Sequence, residues 1–332
     1  MNSEPMKATS SLQTRTSLLR LATTLALGGG VAIAASNSWI VGNTGNYSDP
    51  VNWTGGVNVP NGAADNATSD GAGSVINFND TITLNALNLN LTSGATVFNQ
   101  AGGALTLNSL GFGGAGGSRN PTFNLSGGTL ATAAFPWSNG NNARFNVTGG
   151  AATYSGGAIS IGVAGGANGA ITVSSGSFSH TGTSQLQLGT ASNGTGGILM
   201  TGGTFSTNSP QFRIGSQSGG TGNITLSGAA IFNANGTGTA NIYLGNNGGS
   251  GNLTLSDTAQ FNAATYSLSV GQFGNTANNK GTLTISGTAA LNVDRIILGG
   301  ENAGSAIIGI VNLNGGTIAT GSIRLGSSSV AA

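Results

Sequence analysis

A unit of roughly 27 residues recurs along most of this chain, and tandem repeats of that length mean stacked architecture. Each copy closes on two apolar residues flanking one variable residue, followed by glycine: Leu110-Gly111-Phe112-Gly113, Ile159-Ser160-Ile161-Gly162, Leu186-Gln187-Leu188-Gly189 and Phe212-Arg213-Ile214-Gly215. Ile242-Tyr243-Leu244-Gly245, Leu268-Ser269-Val270-Gly271, Ile296-Ile297-Leu298-Gly299 and Ile323-Arg324-Leu325-Gly326 continue the series. With a degenerate copy at Trp137 to Gly140, the closing glycines fall at 113, 140, 162, 189, 215, 245, 271, 299 and 326, so neighbours lie 22 to 30 residues apart. An opening strand of the same kind precedes each: Phe123-Asn124-Leu125, Phe145-Asn146-Val147, Ile171-Thr172-Val173, Ile198-Leu199-Met200, Ile224-Thr225-Leu226, Leu253-Thr254-Leu255, Leu283-Thr284-Ile285 and Val311-Asn312-Leu313, with a weaker copy from Phe98.

Strands this short alternate with period two and cannot stand as a sheet alone. They must stack, each coil over the last at the ~4.8 Å spacing of parallel strands. The predicted fold is all-β: a right-handed parallel β-helix of about nine to eleven coils with an N-terminal cap. Apolar flanks such as Ile224 and Leu226 point inward, the middle residues Thr225 and Tyr243 point outward, and glycine turns the corner with φ > 0. Asn and Ser side chains satisfy corner backbone groups, and stacked Asn ladders join the coils.

Residues 36–92 read as the cap and first coil, residues 93–326 as the tandem repeats, and 327–332 as an open end of a truncated chain. The cap holds Trp39, Tyr47 and Trp53, which are expected to cover the first core end. Ile82-Thr83-Leu84 and Leu87-Asn88-Leu89 already alternate like strands.

Residues 1–35 read as a secretory signal peptide: basic up to Arg20, apolar from Leu21 to Leu27 and through Val31-Ala32-Ile33, with a small-residue cleavage site at Ala32-Ile33-Ala34. The apolar run is shorter than the ~20 residues that span a bilayer and is broken by Gly28-Gly29-Gly30, so no span is expected in the mature chain. The expected location is extracellular, or the bacterial outer surface.

Composition narrows function. The chain has 60 Gly, no Cys, one His and 5% charged residues, against an ordinary ~25% charged. Thiolate metal sites, disulfides and Cys nucleophiles are excluded. Beyond residue 35 the bases are Arg119, Arg144, Arg213, Lys280, Arg295 and Arg324, scattered in sequence, which argues against a nucleic-acid reader.

Glycoside hydrolysis needs two facing carboxyl groups, and the repeats offer only Asp257, Asp294 and Glu301. Asp294 adjoins Arg295 and reads as a solvated ion pair. His180, the lone imidazole, reads as a solvent-facing turn residue. In the cap, Asp49, Asp65 and Asp70 with Asn52 and Asn66 supply oxygens of the kind that hold calcium, but turn capping explains the same residues. Thr81-Ile82-Thr83 gives too little of a Thr-x-Thr row for ice binding. No catalytic, cofactor-binding or metal residue is assigned, and no cofactor is expected.

The Trp39…Asn52-Trp53-x-Gly55-Gly56…Pro60…Asp65-x-Ala67 block together with tandem Leu-Thr-Leu-Ser-Gly-type units resembles bacterial autotransporter-associated β-strand repeat proteins over about residues 36–326. The resemblance implies an exported β-solenoid, often followed by a sorting segment or an outer-membrane barrel, and is informative about architecture rather than activity. The expectation is a non-enzymatic, secreted or cell-surface structural or adhesive protein. Its expected partners are extracellular glycans or surface and matrix proteins, with end-to-end self-association through the last coil. The alternative is a carbohydrate-binding or carbohydrate-active β-helix.

Overall fold

The computed structural model describes residues 36–326 except 71, 90–93, 114–118, 136–141, 163–164, 190, 217, 239, 272–278 and 300–306. The segment 1–35 read as a signal peptide, the degenerate copy at Trp137, Glu301 and the tail 327–332 therefore lie outside the described residues. The architecture is a parallel β-solenoid of about nine turns with essentially no helix. Among the described residues, no helix is long and apolar enough to cross a membrane.

Each coil contributes to three parallel ladders. The opening ladder runs through Thr122–Leu125, Arg144–Val147, Asn168–Val173, Thr195–Met200, Thr221–Leu226 and Ser250–Leu255. The closing ladder runs through Ile159–Ile161, Leu186–Leu188, Gln211–Ile214 and Ala240–Leu244, then into Gln260–Val270. Between them lies a third ladder that the repeat pattern did not separate as a strand: Ala151–Tyr154, Ser177–His180, Thr204–Thr207 and Ile231–Ala234. In the last coils the corners are tight enough that Asn279–Leu298 and Ile307–Leu325 each run as one strand bent through all three ladders.

Stacking in register turns the repeat into rows. Phe178, Phe205, Phe232 and Phe261 are direct rung partners. Their rings stack at 4.9, 4.8 and 4.8 Å between centroids, close to the strand spacing itself. A second run, Phe98, Phe123 and Phe145, stacks at 4.9 and 5.2 Å. Rings stacked on successive rungs help fill a core only a few side chains across.

Positive φ occurs at the described closing glycines Gly113, Gly162, Gly189, Gly215, Gly245, Gly271 and Gly299, while Gly326 does not adopt it. At Gly215 (φ +70) a Cβ would also lie 2.1 Å from the Ser250 carbonyl oxygen of a later coil, so the corner needs glycine for conformation and for space.

At the front end, Ser36–Trp39 already pairs in parallel with Asn66–Ser69, so the ladders begin inside the cap. Trp39, Tyr47 and Trp53 are fully buried there, with Trp53 edge-on to both other rings at 5.3 and 4.9 Å. Their polar atoms are satisfied. Trp53 Nε1 donates to the Tyr47 carbonyl at 2.8 Å, and the Tyr47 hydroxyl donates to the Pro60 carbonyl at 2.7 Å.

Candidate functional site

Chemistry on a solenoid has to sit on its outward rows or at its corners. The opening ladder places Asn77, Asn99, Asn124, Asn146, Thr172, Leu199, Thr225, Thr254, Thr284 and Asn312 in one outward row. This Asn- and Thr-rich row extends upstream to Asn77. Its amides are engaged with one another: Asn99 donates to Asn77 at 3.0 Å, Asn124 to Asn99 at 2.9 Å and Asn146 to Asn124 at 2.8 Å. Thr282 and Thr284 form a second strand-borne Thr-x-Thr pair beside the one read at Thr81 and Thr83, but their rung partners are Asn252 and Thr254 on one side and Ile310 and Asn312 on the other. The row is mixed, without strict threonine repetition.

The closing ladder carries a different face. Gln187, Arg213, Tyr243, Ser269, Ile297 and Arg324 stack in one outward row. A flanking row runs Gln211, Asn241, Ser267, Arg295 and Ser322. Arginines that looked scattered in sequence are thus gathered: Arg213, Arg295 and Arg324 share this face. Gln187 donates to Gln185 at 2.5 Å, Gln185 donates to Gln211 at 2.5 Å, and Arg213 Nε donates to the same Gln211 oxygen at 3.0 Å. Ser267 and Ser269 are buried, as short side chains between the taller Asn241 and Tyr243 on one rung and Arg295 and Ile297 on the next.

Among the described residues, the repeat carboxylates Asp257 and Asp294 are each engaged locally. Asp294 pairs with Arg295 at 3.3 Å, with both side chains substantially exposed, as the sequence suggested. Asp257 sits at another corner with φ +58, where its carboxylate accepts from the Gly228 amide at 2.9 Å and from the Ser256 hydroxyl at 3.3 Å. Asp49 caps the short 3-10 turn Pro50–Asn52 by accepting from the Val51 amide. Asp65 accepts from the Asn61 and Gly62 amides at 3.0 and 2.9 Å. Asn52 donates to the Asn46 carbonyl, and Asn66 bonds Ser36 and Asn85. Among the described residues no three His, Asp or Glu side chains cluster as metal ligands.

Beside the cap lies an open depression of about 410 Å³, lined by Ser48, Val59, Asn61, Asp80 and Thr81 over Tyr47. Burial, and then the charges of Asp65 and Asp80, push the Tyr47 phenol well above its ordinary range, so it stays a neutral donor.

His180 departs from expectation. It is buried, at 1% exposure, not solvent-facing. Its strand sits in the ladder that the pattern did not resolve, and period-two alternation points it inward beside Phe178. Nε2 lies 2.9 Å from the Gly157 carbonyl, and Nδ1 lies 3.0 Å from Thr207 Oγ1. A carbonyl only accepts, so Nε2 carries the proton and Nδ1 accepts from Thr207. Thr207 in turn accepts from the Ser209 amide at 3.1 Å. The ring stacks on Tyr154 at 5.0 Å. Burial lowers the imidazole pKa, opposed by the bonds to the Gly157 and Gly156 backbone, and the group is placed as a structural hydrogen-bonding residue.

No family model, curated protein or solved structure matches the chain.

Proposed function

We propose that this chain is an exported, non-enzymatic structural or adhesive element of the cell surface or its surroundings. The observation that carries the reading is the continuity of the outward rows. Amides and hydroxyls stack coil after coil, and many are hydrogen-bonded to their counterparts on the next rung. Such rows make a long, regular surface suited to multivalent contact. The signal-like N-terminus and the Trp39, Trp53 and Pro60 block support assignment to exported bacterial proteins of the autotransporter-associated repeat kind.

The alternative, a carbohydrate-active β-helix, requires a second carboxylate opposite the first. Asp257 is engaged in its own turn and Asp294 in an ion pair, which favours the non-enzymatic reading.

Fractionation of the native cell, with intact mass measured separately on envelope and medium, tests export. Retention of the full N-terminal segment on a cytoplasmic protein overturns it. Incubation with polysaccharides tests catalysis. New reducing ends that disappear in the Asp257→Ala, Asp294→Ala and Glu301→Ala variants overturn the non-enzymatic reading.

A further inference from the structure

We propose that the outward face of the closing ladder, from Gln187 to Arg324, is a binding surface for an acidic polysaccharide whose carboxylates are separated by neutral sugars. The inference rests on the adhesive reading and gives that reading its ligand. Three observations converge on the face.

The first is charge. Arg213, Arg295 and Arg324 lie on this face, half of the six Lys and Arg residues that follow residue 35. Among the described residues one carboxylate, Asp294, sits at its edge against Arg295 at 3.3 Å. Of the other described acids, Asp49, Asp65, Asp70 and Asp80 lie at the other end of the solenoid and Asp257 at a different corner, so the face attracts anions.

The second is preorganisation. The Gln187, Gln185, Gln211 and Arg213 side chains hold one another through bonds of 2.5, 2.5 and 3.0 Å. Gln211 Oε1 accepts both Gln185 and Arg213, which fixes the guanidinium through Nε and leaves its outer nitrogens for a ligand oxygen. A surface already ordered loses less conformational entropy on binding. Tyr243, the direct rung neighbour of Arg213, adds an aromatic ring to the platform, and the recessed Ser267 and Ser269 make a step beyond it.

The third is spacing, which selects among polyanions. Arg213 and Arg324 occupy rungs four steps apart, or roughly 19 Å at the parallel-strand spacing. Duplex DNA carries one charge per about 1.7 Å and would present many more phosphates over that length than three guanidinium groups neutralise. A glycan with carboxylates at intervals offers charges to the arginines and hydroxyls or amides to the glutamines, Asn241 and Tyr243 between them.

Hyaluronan, which alternates a uronate with a neutral N-acetyl sugar, is the probe. The mature chain is titrated against hyaluronan, neutral dextran and a duplex DNA, and beads coated with it are tested for adhesion to hyaluronan, dextran and collagen surfaces. The expected result is hyaluronan binding that weakens as salt approaches about 1 M, where the screening length falls to about 3 Å. Arg213→Gln, Arg295→Gln and Arg324→Gln together should lower the affinity about tenfold or more, and Tyr243→Ala severalfold. Val57→Ala, exposed in the cap and outside both outward rows, should leave it unchanged. A triple variant that has lost the wild-type melting transition is replaced by Arg213→Gln alone, judged by the same criterion at about threefold. Unchanged binding in a folded variant, no binding by wild type, or equal binding to DNA overturns the proposal. Beads that adhere to collagen or dextran but not to hyaluronan overturn the ligand alone. Beads that adhere to none of the three surfaces overturn the adhesive reading as well.

Discussion

Two inward rows run side by side in the middle ladder, and they are built differently. Phe178, Phe205, Phe232 and Phe261 repeat one ring on successive rungs. Two residues further along the same strands the row reads Tyr154, His180, Thr207 and Ala234. The first row gains from sameness, since identical rings at the strand spacing stack without cavities. The second lies at the corner, where the backbone bends out of its ladder and leaves groups that side chains must satisfy. His180 meets Gly157, and two coils beyond Thr207 the Tyr266 hydroxyl donates to the Ser209 carbonyl at 2.5 Å and accepts from the Gly236 amide at 2.7 Å. Burial pushes the Tyr266 phenol up to about 12, partly offset by that amide bond, so it remains a neutral donor. A solenoid core thus tolerates polar residues where the chain turns.

The largest expected effect breaks the uniform row. Phe205→Ala opens a void between two stacked rings, and removal of a buried Phe costs about 3–5 kcal/mol. Chemical denaturation should show that loss. A cost below about 1 kcal/mol would mean that the neighbouring rings close over the gap and that the stack is not held by the rungs.

Next comes the polar row. His180→Leu fills similar space but leaves the Gly157 carbonyl and the Thr207 hydroxyl without their partner, at a cost of about 1–3 kcal/mol for each group left unsatisfied. The same residue gives the solenoid an acid-side sensitivity. Its folded pKa lies below the ordinary value near 6.5, so below that pH the unfolded chain takes up a proton that the folded chain refuses. The contribution is full above about 6.5 and is lost as pH falls through the folded pKa. Melting curves of wild type should shift downward between about pH 7 and pH 5, and those of His180→Leu should shift less. Parallel curves would place the acid sensitivity elsewhere.

The contrast between the rows also explains what could be read in advance. The opening and closing ladders were legible because both of their inward positions are apolar, as in Ile224 with Leu226 and Ile242 with Leu244. The middle ladder offers one large apolar residue per strand, Phe178 or Phe205, beside an inward His or Thr that reads as polar surface. In the sequence pattern, therefore, that strand shows only as a single apolar residue and His180 as a turn residue. The gathered arginines were hidden for another reason. Coils of unequal length place Arg213, Arg295 and Arg324 at no constant interval, and only the rung-by-rung register brings them to one face. The cap aromatics were legible as large apolar side chains preceding the repeats, whereas their T-shaped packing depends on the short turn that Asp49 caps.

The smallest expected effect lies on the outside. Asn124 both donates to Asn99 and accepts from Asn146, whereas Asn146 makes only the second of these bonds within the described part of the row. Asn124→Ala should therefore cost more than Asn146→Ala, at about 1 kcal/mol against about half of that, since half-exposed amides can turn to water when a partner is lost. The double variant should cost less than the sum of the singles, because both singles remove the bond between the two residues. Strict additivity in a double-mutant cycle would mean that the ladder transmits nothing from coil to coil and that each Asn only caps its own strand. A coupling of about 0.5 kcal/mol or more would make the outward row a weak counterpart of the phenylalanine stack, with coils joined by repetition on both sides of the sheet and the larger share held inside.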